Sequence, residues 1–170
     1  MTAEGGNTAA LPEIKKDEVA FSHVPEHGFS LFLSKRQKTI HFIRHAEGYH
    51  NEANHAYGDD TPCTFSTEGS WQYQDARLTD KGIGQCVKAR DTLLGDVKPQ
   101  LIVVSPFTRT LQTAHIMFGG KGYPFIVHNL CRERSGKFTC DKMRSKIEII
   151  KDMKPIYEHS YDSIDFDSFG

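Results

Sequence analysis

A chain of 170 residues is long enough for one domain with a buried core. Its 38% hydrophobic and 25% charged content is that of a globular protein, and a formal net charge of -1 excludes nucleic-acid or membrane-surface binding driven by bulk charge. No run of about 18 apolar residues is present, so no membrane-spanning helix is expected.

Residues 1–19 are small, polar and charged and lack the apolar core of a signal peptide, so they are expected to be disordered and the chain cytoplasmic. Residues 20–37 are mixed, with an apolar patch, FSLFL, expected to pack at a domain edge. The division is thus an N-terminal extension, partly disordered, over 1–37 and one domain over 38–170. KTIHFI (38–43), rich in β-branched and aromatic residues, predicts a strand that delivers Arg44 and His45 to its tip. Residues 56–76 read as a long loop, and a loop of that length is more often functional than incidental.

LTDKGIGQCVKARDTLLGD (78–96) predicts a helix capped by Thr79 and closed by Gly95, with Ile83, Cys86, Val87 and Leu94 on its inner face. LIVV (101–104) reads as a strand buried on both faces. SPFTRTLQTAHIMF (105–118) begins with Ser-Pro, good chemistry for a helix start, and places Phe107, Leu111, Ala114 and Phe118 on an inner stripe. PFIV (124–127) predicts a third strand and DKMRSKIEIIKDM (141–153) a further helix. Strands alternating with helices imply a mainly parallel sheet, in which sites gather beyond the carboxyl ends of the strands.

Two arginines converge there. Arg44 follows the first strand, and Arg109 lies on the first turn of the helix after the second, whose strand ends at Ser105. A guanidinium fork binds phosphate bidentately, and a helix start adds N–H groups and a positive dipole end. With His45 beside them the set reads as a phosphate site holding a nucleophile, the ring kept neutral by the neighbouring cations. Glu133, in the loop after the third strand, is placed to protonate a leaving alkoxide. Asn51 is placed to orient the His45 ring or to donate to the phosphoryl group. The spacing of His41, His45, His50 and His55 does not fit a zinc motif, so no metal is assigned. Tyr57, Phe65, Trp71 and Tyr73 either line a pocket or pin the long loop. The cysteines at 63, 86, 131 and 140 are expected to be free thiols, with Cys86 a small buried hydrophobe.

In RHAEGYHN (44–51) the sequence resembles the histidine phosphatase superfamily, whose opening signature is Arg-His-Gly with Asn six residues after the His; Ala46 stands in the Gly position. LTDKGIGQ and SPFTRTLQTA match the family's next two landmarks, and CRERSGKFTCDKMRS with IDFDSF resembles its eukaryotic phosphoglycerate mutase-like branch. The resemblance implies a three-layer α/β/α domain with a mainly parallel sheet. It implies His45 as phosphorylated nucleophile, Arg44 and Arg109 as phosphoryl ligands, and Glu133 as acid/base. The family's second catalytic His has no good counterpart, since His159 in YEHSYD follows no apolar strand. On this resemblance the chain lacks the C-terminal part of the fold, and reduced activity is expected. The expected function is phosphomonoester hydrolysis, or mutase-like phosphoryl transfer, through a phosphohistidine, without cofactor. The alternative is an impaired pseudo-phosphatase that only binds a phosphorylated ligand. The expected partner is a small phosphorylated substrate or a phosphoprotein, with no nucleic acid and no membrane, and the chain is expected to self-associate.

Overall fold

The computed structural model describes residues 20–24, 28–32, 38–92, 94, 96–160, 162–167 and 169. The expectations for residues 1–19 and for Gly95 fall outside these, as do the side chains of FSLFL. Within the N-terminal extension, β1 (Ala20–Val24) pairs antiparallel with β2 (Gly28–Phe32), with Phe21 opposite Leu31 and His23 opposite Phe29. The sequence pattern does not announce this hairpin. The chain divides into two compact units, Met1–Phe42 and Ile43–Gly170, and the second carries the remaining elements.

That second unit is an α/β domain. Its elements run α1 (Tyr49–Tyr57), α2 (Asp80–Thr92), β3 (Ile102–Val104), α3 (Thr108–Phe118), β4 (Phe125–Val127), α4 (Lys146–His159) and β5 (Ile164–Asp165). The three strands form a parallel sheet in the order β3-β4-β5, with Ile102 beside Phe125 and Phe125 beside Ile164. Val104, Phe125 and Val127 turn into the core, where Leu111, Met117, Ile149, Met153 and Tyr157 meet them. Burying such side chains contributes about 1.5–3 kcal/mol each. Tyr157 keeps its polar end satisfied by donating its hydroxyl to the Leu111 carbonyl at 2.8 Å.

The stripe Phe107, Leu111, Ala114 and Phe118 is buried as its spacing predicts. Thr79 caps α2, its hydroxyl accepting the Gly82 N–H at 3.0 Å. Ser145 caps α4 with Glu148 in a reciprocal box, so that helix begins five residues later than expected and runs on to His159 through Pro155.

Several expectations are corrected. Residues 38–43 form no strand: a strand exists only where a partner takes up its backbone groups, and this segment joins no ladder among the described residues. Ile40 and Phe42 are instead 72% and 93% exposed. LIVV is buried on one face only: Val104 is buried, whereas Val103 on the opposite face is 51% exposed and Ile126 beside it on β4 is half-buried. Ile83 is exposed, and the inner face of α2 is made by Gly82, Cys86 and the half-buried Ala89. The long loop begins later than expected, since α1 extends to Tyr57, and it contains the short 3-10 turns Thr61–Cys63 and Ser70–Tyr73. Helix α1 and strand β5 are additions that the sequence pattern does not reveal.

Candidate active site

The stretch that carries Arg44 and His45 lies in a loop, not at a strand end, and side chains from two helices hold it. Ala46 N–H donates to the Thr113 hydroxyl at 3.2 Å, and that hydroxyl donates to the Arg109 carbonyl at 2.8 Å. Glu47 N–H donates to Gln85 at 2.9 Å, while the Glu47 carbonyl accepts from Thr79 N–H at 3.0 Å. Gly82 is required here, because a Cβ at that position would lie 2.1 Å from the Glu47 carbonyl oxygen. Gly48 N–H then donates to the Asn51 side-chain oxygen at 3.0 Å, which starts α1. Asn51 is therefore a capping residue; no hydrogen bond from it to the His45 ring is formed. With its oxygen engaged, its amide NH2 is held in one orientation and makes no hydrogen bond among the described residues.

His45 is half-buried, and its Nδ1 lies 2.7 Å from the Ala46 carbonyl oxygen. A carbonyl can only accept, so Nδ1 carries the proton and the lone pair is on Nε2. Burial is the main cause that lowers the pKa of His45. The hydrogen bond to Ala46 opposes it, and the charges of Arg109 and then Arg44 add to the lowering. The lowering is in the direction of the expected neutral ring, with desolvation ahead of the arginines as its cause.

Arg109 is buried to 1% exposure at the start of α3. Its guanidinium stacks over the Phe107 ring at 4.3 Å and donates to the Cys140 carbonyl at 2.9 Å and to the Asp141 carboxylate at 3.2 Å. The same nitrogen lies 3.9 Å from Glu133, whose side chain is 55% exposed. The structure thus brings His45, Arg109 and Glu133 into one cluster, and Arg44, exposed, is near enough to act electrostatically on His45. His159 ends α4 on the surface and makes no hydrogen bond or ion pair in this cluster.

Three participants escape a reading of the sequence. Asp141 binds Arg109, and burial followed by the Glu133 charge pushes its carboxyl above the ordinary range. Asp75, in the left-handed region at φ 46°, accepts the Thr108 N–H at 2.7 Å and the Thr108 hydroxyl at 2.6 Å. It therefore caps α3 in place of the expected Ser105-Pro start, and Arg144 backs it at 3.0 Å. His50 packs tilted against His45, ring centroids 5.7 Å apart, and is 5% exposed. Nothing local announces Asp75, which acts from more than thirty residues away.

A cavity of about 360 Å³ is lined by Tyr49, Tyr73, Asp75, Arg77 and Arg144 among others, and not by His45, Arg109 or Glu133. Arg77 and Arg144, which line it, are both paired with Asp152 at 2.8 Å. Of the loop aromatics, Tyr73 lines that cavity, while Phe65 and Trp71 pack edge-on against each other at 5.4 Å. The described residues hold no group of three or more His, Cys, Asp or Glu arranged for a metal ion, and no helix long and apolar enough to cross a membrane.

The family model of the histidine phosphatase superfamily (branch 1) matches residues 40–163. A phosphoglycerate mutase-like protein of Arabidopsis thaliana is 32% identical, the match covering 82% of this chain and 57% of the relative. A "Probable phosphoglycerate mutase" of Arthroderma benhamiae is 37% identical over 68% of this chain and 38% of its own length. Phosphoglycerate mutase-like protein 1 of Arabidopsis thaliana is 31% identical over 82% of this chain and 55% of its own. The chain thus spans about half the length of the curated relatives it matches, or less. No solved structure matches. An α/β domain with a parallel sheet, the Arg44-His45 and Arg109 landmarks and a family match over most of the chain assign it to the histidine phosphatase superfamily, branch 1.

Proposed function

We propose that the chain is a phosphomonoester phosphatase acting through a phosphohistidine at His45. One observation carries this: the Nδ1–H of His45 is spent on the Ala46 carbonyl at 2.7 Å, which leaves a neutral Nε2 lone pair beside two arginines. Nε2 attacks phosphorus and the ester P–O bond breaks. The leaving alkoxide takes a proton from Glu133, and water then displaces the phosphoryl group from Nε2, returning its proton to the Glu133 carboxylate. Arg44, Arg109 and the Asn51 amide neutralise or bind the phosphoryl oxygens, so the reaction needs no metal. Hydrolysis is favoured over mutase transfer because no further basic cluster for a second phosphate is identified beside this site among the described residues. The substrate is a small phosphorylated molecule or a phosphoprotein, and the four free thiols suit a reducing cytoplasm.

A second reading has its own support. Both terminal nitrogens of Arg109 are already engaged by Cys140 and Asp141, as in a protein that holds a phosphorylated ligand weakly and does not turn it over. Hydrolysis of an aryl phosphate, assayed after dialysis against EDTA, separates the two. Trapping an acid-labile phosphoenzyme in the wild type and losing it in His45→Ala supports catalysis. Phosphate binding without turnover supports the pseudo-phosphatase.

A further inference from the structure

The chemistry proposed above gives His50 no role, although it is the most deeply buried ring of the cluster. It sits on the first turn of α1, and its side chain makes no hydrogen bond within the described residues. Its Nδ1 is buried without a partner. The edge bearing Nδ1 and Cε1 lies against Gly48, where a Cβ would come within 2.8 and 2.9 Å of those atoms.

A histidine that merely fills space is expected either to be hydrogen-bonded or to be replaced by an apolar residue, because burying an unpaired polar group costs about 1–3 kcal/mol. His50 is neither. Burial first, then neighbouring cationic groups with Arg109 foremost, lower its pKa to about 3, so it is neutral at any working pH. An N–H buried without an acceptor is less tolerable than an acceptor buried without a donor. The single proton of the ring therefore belongs on Nε2, with the bare Nδ1 lone pair facing Gly48. This gives the cluster a neutral N–H donor on a rigid helix start, its ring held against the ring of His45.

We propose that His50 is a second imidazole of the oxyanion site, whose Nε2–H donates a hydrogen bond to the phosphoryl group carried between substrate and His45. The proposal rests on the phosphohistidine reading. A neutral donor suits this role, because it adds a hydrogen bond where negative charge builds on the phosphoryl oxygens without supplying a proton that would quench the Nε2 of His45.

The test compares wild type, His45→Ala, His50→Phe and His50→Gln by turnover of an aryl phosphate, by vanadate affinity and by melting temperature. His50→Phe is expected to melt at or above the wild-type temperature yet to lose about 10²-fold in turnover, the typical cost of one oxyanion donor. His50→Gln, which restores an N–H, is expected to recover at least tenfold over the Phe variant, with vanadate affinity following the same order. Should the larger ring prevent folding, His50→Leu makes the same comparison. Wild-type turnover in a folded His50→Phe, or a loss that Gln fails to relieve, overturns the donor role while the phosphohistidine stands. A wild-type chain that neither turns over the ester nor binds vanadate, or a fully active His45→Ala, overturns the underlying reading and the donor role with it.

Discussion

Asp75 and Thr108 are joined twice, the two carboxylate oxygens accepting the backbone N–H at 2.7 Å and the hydroxyl at 2.6 Å. Thr108 is the first residue of α3 and Arg109 the second, so this contact sets where the buried guanidinium starts. Asp75→Ala is expected to cost about 1–2 kcal/mol for the cap alone. It also leaves Arg144 without one of its two carboxylates. Urea unfolding gives the stability change, and vanadate titration is expected to show weakened binding because Arg109 loses its register. Unchanged binding in the variant would sever the cap from the site.

Gly82 and Gly84 make a matched pair on one helix. A Cβ at Gly82 would stand 2.1 Å from the Glu47 carbonyl oxygen, whereas one at Gly84 meets nothing within 4 Å. Gly82→Ala is therefore expected to destabilise by about 1–3 kcal/mol and to shift the loop that carries His45. Gly84→Ala is expected to stabilise by about 0.5–1 kcal/mol through helix propensity. Thermal melts of both variants decide, and equal melting temperatures would refute the close approach.

Asp141 holds Arg109, its oxygen 3.2 Å from the guanidinium, and on the proposed function it is expected to compete there with an incoming phosphoryl group. Replacing it by Asn removes a charge and keeps the shape. Asp141→Asn is expected to tighten vanadate binding at pH 7 by about tenfold, equivalent to ~1.4 kcal/mol. Weaker binding would mean that Asp141 positions Arg109 more than it blocks it.

The buried imidazoles lower stability in acid. The pKa of His50 is about 3 in the folded chain and near 6.5 when unfolded, so below pH 6.5 the unfolded state binds the extra proton. The stability tied to a neutral His50 is present above that pH and is lost as pH falls. The loss by pH 4.5 is roughly 2–3 kcal/mol. His45 and His115, both lowered chiefly by burial, act in the same direction. Urea unfolding at pH 7 and 4.5 is expected to show a smaller difference in His50→Gln than in wild type.

Ile40 and Phe42, at 72% and 93% exposure, leave apolar side chains in water. Such surface promotes association, so sedimentation velocity is expected to show concentration-dependent self-association that Phe42→Lys reduces. A monomer at every concentration would contradict this.

By itself the sequence determined the domain class, the helices around α2, α3 and α4 and the strands β3 and β4, and it suggested the residues proposed for the phosphate site. These lie in runs whose periodicity or local motif is self-contained: the Leu111 stripe, the Thr79 cap, and Arg44-His45 with Asn51. What only the tertiary structure decided is whatever depends on a partner distant in the chain. KTIHFI has strand composition, yet composition cannot supply the neighbour that its backbone groups require. Val103 looks like its buried neighbours, and only the sheet face on which it falls exposes it. Asn51 carries an amide suited to a ligand, but one side of that amide is spent on Gly48 because α1 starts there. Asp75, Asp141 and His50 became visible only when folding placed them against Thr108, Arg109 and His45, since hydrogen bonding and desolvation act over a few ångströms in space and take no account of separation along the chain.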